Sequence, residues 1–205
     1  MVRKRAGRLS SGGAIREAAT ALFLERGYAG ATMDDVAAAA AVSKQTVYSH
    51  FHSKEALFAD LVLGNAARVD EFIARIDELI DGGGDLRSGL EALARAYLGF
   101  VVRPEAVRLR RLVIAEAVRF PELARTYYER VPERVYAALA RALARRLDLD
   151  DPILAAHHLV WLVLGTPLDE ALLAPSASPP DNAWIARQAV RVFLAAYGAA
   201  KADPA

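Results

Sequence analysis

A short helix that follows Ser43 carries polar side chains in a pattern suited to reading DNA. Val47 and Phe51 are four residues apart, so they share one face of this helix and form its apolar side. The side chains that point most directly away from that face are all polar: Gln45, Thr46 and Ser49. Glutamine can pair with the edge of adenine, a threonine methyl can contact the thymine methyl, and serine can bind phosphates or base edges. The spacing therefore predicts an outer helix face that can contact a DNA groove.

Tyr48 and His50 flank this outer face, and Lys44 opens the helix. Their polar groups suit phosphate oxygens or base edges. A second interpretation stays open for Tyr48 and His50, which can also pack against the first helix as partly buried amphipathic side chains. For Lys44, Gln45 and Thr46 the alternative is a solvated helix face. The short helices around these residues favour the DNA contact.

The preceding elements position this face. An apolar stripe over residues 15–23 predicts a first helix, which ends at Gly27. Thr32 is the expected N-cap of a short second helix with Asp34 and Asp35 in its first turn, where the helix dipole favours negative charge. Two short helices joined by a tight turn are typical of a helix-turn-helix that reads the major groove.

The first eight residues are basic and contain no acid. Their four cations are Arg3, Lys4, Arg5 and Arg8. Such an arm suits a polyanion, and ahead of a DNA-binding domain it can lie along phosphates or enter the minor groove. A solvated tail is the alternative. We expect the arm to raise DNA affinity and to add little specificity.

The stretch from residue 14 to about residue 62 resembles the DNA-binding domain of the tetracycline-repressor (TetR) family. The resemblance rests on Gly27-Tyr28, on Thr32 to Ala37, and on Val42 to Phe58 with its Tyr-x-His-Phe and Ser-Lys-Glu-Ala-Leu segments. Many family members carry glycine where this chain has Ala41. A positive φ is easiest for glycine, so modest strain is expected at this alanine.

This resemblance also implies roles for individual residues. Ser43 to His50 would form the recognition helix, and Thr32 with the N-terminus of the second helix would meet phosphate. Tyr48 would contact the DNA backbone, and Lys54 would start a helix beside another phosphate. The phosphate affinity of helix N-termini agrees with these roles.

Composition limits the class of protein. The chain has 205 residues, of which 54% are hydrophobic and 25% charged, with a formal net charge of +1, so it resembles an ordinary globular protein. It has no cysteine, which excludes disulfides, thiolate nucleophiles and cysteine-based metal sites. The longest uncharged run, residues 153–168, is shorter than the roughly 20 residues that a spanning helix needs. The basic start lacks the apolar run of an export signal, so we expect a cytoplasmic protein with no membrane contact.

The rest of the chain has helical spacing and no sustained alternation with a period of two. A fourth helix, capped by Ser53, is expected to extend to Ile80, and further helices are expected at about 85–102, 104–119, 121–147, 152–173 and 182–199. Pro132 and Pro167 should kink or split two of them. Residues 109–124 resemble the C-terminal domain of an AefR-like branch of the TetR family.

The predicted fold is therefore all-α. An N-terminal three-helix helix-turn-helix DNA-binding domain, with the basic arm, would occupy residues 1–62, and a helical ligand-binding and dimerisation domain would occupy residues 63–205. In the family, the second domain dimerises and usually holds a small-molecule pocket.

Aromatic side chains with a few polar groups are the candidates for such a pocket. They are Tyr97, Phe100, Arg111, Tyr127, Tyr128, His157, His158 and Trp161. Aromatic residues at helical spacing are more often part of a core than of a pocket, and the two adjacent histidines fit a core or interface pair better than a ligand site. Adjacent histidines on a helix point about 100° apart and have no convergent acid here, so we expect no metal.

The last two long helices have apolar faces larger than one layer must bury. These faces contain Leu159, Leu162, Val163, Leu172, Ile185, Val190, Val192, Phe193 and Leu194. A connecting loop is expected at residues 175–180. We expect a homodimer through these two helices.

The combined prediction is a homodimeric transcriptional regulator, most simply a repressor, bound to a palindromic operator through recognition helices about one duplex turn or slightly more apart. By resemblance, a small-molecule effector would favour another spacing of the two heads and release the DNA. One alternative is a DNA-binding regulator or activator without an effector. Another is a small helical enzyme or carrier that uses His157, Arg111 and the tyrosines, but no nucleophile, phosphate-binding glycine pattern or carboxylate pair supports it, and no cofactor is expected.

Overall fold

The computed structural model describes residues 10–64, 66–82, 84–174 and 181–198, and only the backbone of residues 66 and 67. Over these ranges the chain forms α-helices and one π-helical segment, with no β-strand. The helices are α1 Ser11–Gly30, α2 Met33–Ala39, α3 Lys44–His50, α4 Lys54–Leu63, α5 Ala66–Ala74, α6 Ile76–Asp81, α7 Leu86–Val101, α8 Pro104–Glu116, α9 Pro121–Tyr128, α10 Arg134–Arg146, α11 Pro152–Leu173 and α12 Asn182–Tyr197. The all-α prediction is confirmed.

The chain divides into two compact units. The first contains the described residues of Met1–Asn65 together with Leu112–Ala124, and the second contains those of Ala66–Arg111 and Arg125–Ala205. Helix α8 therefore contributes its last residues to the first unit. The division into domains at residue 62 stays a prediction about where the DNA-binding and regulatory functions lie.

Four aromatic rings form the centre of the first unit. Phe58 meets Phe23 and Tyr28 edge-on, with ring centroids 5.5 and 5.0 Å apart, and Phe120 meets Tyr28 at 4.9 Å. Edge-to-face pairs of this kind add to the free energy gained by burying the rings. Tyr28 reaches this core because the backbone of Gly27 has φ 71, which interrupts the helical geometry of α1. The predicted break at Gly27 is present, but α1 resumes after it and ends at Gly30 rather than at Gly27.

The second unit has a larger aliphatic core. Helix α7 packs on α6 and α12, and α11 packs on α10 and α12. The fully buried side chains at its centre include Leu90, Leu98, Leu139 and Phe193. Helices α6 and α7 approach closely at Gly89, where an added Cβ would lie 2.0 Å from the carbonyl oxygen of Ile80.

The predicted fourth helix is divided in the structure. Helix α4 ends at Leu63, before the poor helix former Gly64, and α5 and α6 follow as separate helices. At the second break the N–H of Arg75 donates to the carbonyl of Phe72, a bond that tightens the turn. The prediction of one helix to Ile80 was wrong because these local breaks outweigh the continuous apolar spacing.

The two helix-interior prolines have different effects. Pro132 lies inside the π-helical segment Glu129–Glu133, which divides the predicted helix 121–147 into α9 and α10. A proline has no N–H to donate and crowds the preceding turn, so a local change of helical pitch is expected there. Helix α11 continues through Pro167 to Leu173. The expected connecting loop at 175–180 lies outside the described residues.

Candidate functional site

Two N-caps fix the start of α2 and of α3. Thr32 Oγ1 accepts a hydrogen bond from the Asp35 N–H at 3.1 Å, and the Asp35 carboxylate accepts from the Thr32 N–H at 3.0 Å, which forms a reciprocal capping box. The Thr32 hydroxyl also donates to this carboxylate, and these bonds lower the pKa of Asp35. Ser43 Oγ accepts from the Thr46 N–H at 3.1 Å. The predicted caps are confirmed.

The turn between α2 and α3 contains one residue with a positive φ that is not glycine. Ala41 has φ 52, while the Val42 N–H donates to the Ala37 carbonyl at 3.0 Å. The left-handed region costs an L-residue about 1–2 kcal/mol. The strain expected at Ala41 is therefore present in the structure.

Helix α3 presents a polar surface above a buried anchor. Val47 is fully buried, whereas Gln45, Tyr48 and Ser49 are exposed and Thr46 is half-buried. The Thr46 hydroxyl lies 2.8 Å from Ser43 Oγ, and the Ser49 hydroxyl donates to the Thr46 carbonyl at 2.8 Å. These hydroxyls are engaged within the helix, while Gln45 and Tyr48 extend from its surface.

Lys44, the first residue of α3, is held by an acid of α2. Its Nζ lies 2.8 and 3.0 Å from the two carboxylate oxygens of Asp34. The hydrogen bond and the charge of Asp34 raise the pKa of Lys44. From the sequence, Asp34 was predicted only to interact favourably with the dipole of α2. Its pairing with Lys44 could not be predicted, because the two residues are ten apart across a turn and follow no helical period.

His50 lies at the C-terminal end of α3, next to the start of α1. A Cβ added to Gly12 would be 3.4 Å from His50 Nδ1. Nearby, the Arg16 guanidinium stacks over the Phe51 ring and pairs with Asp60 at 2.7 Å. His50 itself is exposed. His50 is thus both close to α1 and open to solvent, which agrees with packing against the first helix and also with a DNA contact.

Lys54, the first residue of α4, lies over the ring of Tyr28. Its Nζ is 4.4 Å from the ring centroid and 3.5 Å from the Ala29 carbonyl oxygen. The Tyr28 hydroxyl donates to Glu55 at 2.8 Å. Burial, followed by this hydrogen bond, raises the pKa of Tyr28 to about 12, and the same bond lowers the pKa of Glu55. The basic arm with Arg3, Lys4, Arg5 and Arg8 lies outside the described residues.

In the second unit, several of the predicted pocket residues are close to one another. Tyr97 and Phe100 both pack on Phe72, with ring centroids 5.4 and 4.9 Å apart, and His157 meets Tyr136 edge-on at 4.6 Å. Tyr97 and Tyr136 are buried, Tyr127 is half-buried, and Tyr128 is half-exposed.

Arg110 is a polar group of this region that the sequence did not single out. Burial raises the pKa of both Tyr97 and Tyr136, while the charge of Arg110 acts in the opposite direction on each. One signal in the sequence could have pointed to Arg110. It follows the buried Val107 by three residues, and this spacing places both residues on the same side of α8.

Arg111 has a different position from its neighbour. Its guanidinium donates to the carbonyls of Ala171 and Leu172, both at 2.8 Å. These are among the last carbonyls of α11, which have no partner within their own helix. In the structure Arg111 therefore caps the C-terminal end of α11.

Trp161 and His158 line an open groove between α11 and α12. The groove has a volume of about 410 Å³, and its other lining residues are Leu162, Val192, Phe193, Ala196 and Tyr197. His158 Nδ1 is hydrogen-bonded to the Tyr197 hydroxyl. Trp161 is 55% exposed, a large value for its size. The effector role assigned to these side chains stays a prediction.

Within residues 10–64, 66–82, 84–174 and 181–198, no group of three His, Asp or Glu side chains could hold a metal ion. No helix in these ranges is long and apolar enough to span a membrane.

The two short capped helices, the tight turn and the exposed polar face of α3 define a helix-turn-helix protein of the DNA-binding class. Residues 15–61 match the bacterial regulatory proteins of the tetR family, and residues 88–199 match the C-terminal domain of AefR-like transcriptional repressors. The second match covers more than half of the chain, and so the chain belongs to the TetR family of regulatory proteins.

The curated relatives include transcriptional repressors and one activator, FasR of Mycolicibacterium smegmatis. The chain is 38% identical over 112 residues to the repressor DhaR of Mycobacterium sp. (strain GP1), which is 45% of this chain and 56% of DhaR. It is 34% identical over 79 residues to the repressor KstR2 of Rhodococcus jostii (strain RHA1), which is 38% of this chain and 37% of KstR2. The matches thus span about half of these relatives or less.

Solved structures match over nearly the whole length. A chain from Mesorhizobium loti MAFF303099, described as a TetR-family transcriptional regulator, has a TM-score of 0.83 at 37% identity, covering 95% of this chain and 99% of that one. The flavonoid-responsive regulator FrrA has a TM-score of 0.72 at 33% identity, covering 91% and 96%. The family consists of DNA-binding regulators rather than enzymes, which confirms the predicted class.

Proposed function

We propose that this protein is a cytoplasmic, homodimeric repressor that binds a palindromic operator and releases it when a small molecule binds. The observation that carries the proposal is the exposed polar face of α3 above the buried Val47, next to a capped α2. Such a helix reads only a few base pairs, so two copies related by a two-fold axis are needed to define an operator.

The positions of the side chains support a specific set of DNA contacts. Gln45 and Thr46 read base edges, and Lys44, Tyr48, Ser49 and His50 contact phosphates or bases around them. Thr32 and Ser43 cap the N-termini of α2 and α3, which would face phosphates, and Lys54, the first residue of α4, would contact a further phosphate. The basic arm adds affinity that depends on salt and not on sequence.

Selection of bound sequences from randomised duplex DNA tests this reading. We expect the wild-type protein to select a palindromic consensus. Gln45→Ala and Thr46→Ala should each lose discrimination at one or two base positions, with the free-energy difference between right and wrong bases reduced by about 1–3 kcal/mol for each base contact. Lys54→Ala is the comparison variant, and it should weaken binding evenly across sequences. Equal operator selectivity in all three variants would contradict the assignment.

Exposed apolar side chains support dimerisation through α11 and α12. Trp161, Leu162 and Val192 line the groove and are each more than two-fifths exposed. A surface of this kind is typical of a protein interface. A second copy packed on it would form a two-fold interface and set the spacing of the two recognition helices.

The buried tyrosines of the second unit support an effector site. Tyr97 and Phe100 both pack on Phe72, Tyr136 meets His157, and the charge of Arg110 acts on both phenols. This chemistry suits an aromatic ligand with phenol or carboxylate groups. The similarity to FrrA, a flavonoid-responsive regulator, agrees with that ligand class.

A thermal-shift screen against phenolic compounds and aromatic acids tests the effector site. A ligand that binds the folded state should raise the midpoint by an amount that grows with its concentration, and it should release the selected duplex. Arg110→Ala should weaken this response. If none of these compounds stabilises the protein, a regulator without an effector of this class becomes the better description.

A further inference from the structure

The N-termini of α2 and α3 are joined by an ion pair on the surface proposed to meet DNA. Lys44 Nζ contacts both carboxylate oxygens of Asp34, and both side chains are more than half exposed. Asp35 supplies the capping box of α2, and so the Asp34 carboxylate is not needed to cap that helix. The ion pair therefore calls for an explanation other than helix capping.

An acid at this position opposes DNA binding in two ways. In a docked helix-turn-helix the start of the recognition helix enters the major groove, and the first helix crosses the phosphate backbone. Asp34 on α2 would thus approach phosphates, which repel its carboxylate. It also occupies the ammonium group of Lys44, so a DNA contact by Lys44 requires this ion pair to open or to be shared.

Cognate and non-cognate DNA differ in what they offer Lys44. Any duplex offers phosphate oxygens, whose attraction for one ammonium group is largely offset by the adjacent carboxylate. A cognate site can offer a base acceptor such as guanine O6 or N7, together with the contacts of the rest of the helix. An acid beside a DNA-contacting lysine therefore weakens non-cognate binding more than cognate binding.

We propose that Asp34 is a specificity-determining residue that restrains Lys44 and thereby suppresses binding to non-cognate DNA. The proposal rests on the proposed function, because it assumes that α3 reads an operator. Asp34 acts through Lys44 and contacts no base itself, so it is a positioning residue whose effect is visible in the salt dependence of non-specific binding.

The test compares Asp34→Asn with the wild-type protein on a random duplex and on the selected operator. At about 0.1 M salt, we expect the variant to bind random DNA about fivefold more tightly for each DNA-binding domain that gains a phosphate contact. The slope of log affinity against log salt concentration should also become steeper by about 0.9 for each contact. Operator affinity should rise less, so the ratio of the two affinities falls. Asp77→Asn is the matched control, since it changes net charge equally but removes a partner of Arg145 in the second unit.

A Lys44→Ala background separates the restraint from simple charge repulsion. If Asp34 acts through Lys44, the effect of Asp34→Asn on random DNA should largely disappear there, and a full-sized effect would overturn the proposal. Weaker operator binding with unchanged random binding would also overturn it, because Asp34 would then read a base directly. If the wild-type protein preferred no duplex sequence, the proposed operator recognition would be contradicted. The measurements on random DNA would still decide whether Asp34 restrains Lys44.

Discussion

At the scale of single residues, Tyr28 combines several interactions although it lies near the end of α1, one residue after the break at Gly27. Its ring lies in the core of the first unit, and the charged groups of Lys54 and Arg119 are 4.4 and 4.7 Å from the ring centroid. Its hydroxyl donates to Glu55. A buried phenol that must stay protonated ties the stability of this unit to pH in the alkaline range.

Replacement of Tyr28 by phenylalanine tests that link. The pKa of Tyr28 is about 12, above the usual value of 10 in an unfolded chain, so its contribution to stability is complete below pH 10 and is lost as the pH rises through 12. Tyr28→Phe should be less stable near pH 8 by about 1 kcal/mol, because a hydrogen bond is lost. Between pH 10 and 12 the wild type should lose about 2 kcal/mol more than the variant. Urea unfolding at several pH values measures this, and parallel stability curves would contradict it.

The ion pair of Lys44 and the cap made by Arg111 show what sequence can and cannot predict at this scale. Thr32, Ser43 and Gly27 were predicted correctly because caps and breaks depend on the next few residues. The partner of Lys44 is ten residues away across a turn, and Arg111 donates to carbonyls at the end of another helix. Contacts of this kind depend on tertiary packing and have no local pattern in the sequence.

At the scale of helices, the packing of α6 on α7 depends on Gly89. An added Cβ would lie 2.0 Å from the Ile80 carbonyl oxygen and 2.8 Å from its carbon, both backbone atoms that cannot rotate away. Periodicity predicted which segments are helical, although two of the predicted helices are divided in the structure. The close crossing could not be predicted, because glycine in a helix also occurs for other reasons.

Gly89→Ala should therefore separate these helices. We expect a loss of about 2 kcal/mol in the free energy of unfolding, which is typical of overpacking. Gly99→Ala is the matched control in the same helix, since its added methyl would meet nothing within 4 Å. That variant should gain roughly 0.5–1 kcal/mol from higher helix propensity. Chemical denaturation of both variants provides the measurement, and equal effects of the two substitutions would show that the crossing is not tight.

At the scale of the whole molecule, the proposed dimer makes operator binding depend on the groove between α11 and α12. Leu162→Glu places a carboxylate in this groove, and across a two-fold interface it would be buried near its own copy. The dimer dissociation constant should rise at least about tenfold, since each 1.4 kcal/mol changes it by that factor. Sedimentation velocity over a concentration series measures the change.

Val118→Glu is the control for that experiment. Val118 is 96% exposed and belongs to the first unit, so the same charge is added outside the proposed interface. It should leave the monomer–dimer equilibrium unchanged. Equal behaviour of the two variants would place the dimer interface elsewhere.

The membership of Leu112–Ala124 in the first unit limits how far this protein can be treated as interchangeable modules. A chimera that transplants only residues 1–65 onto another regulator would leave Tyr28 and Phe58 without Phe120, which packs on both rings. The transplanted head would expose an apolar surface that the native chain covers from a distant part of its own sequence. An engineer who exchanges heads in this family would need to move two separate segments together, or redesign the recipient's own segment to fit the new rings.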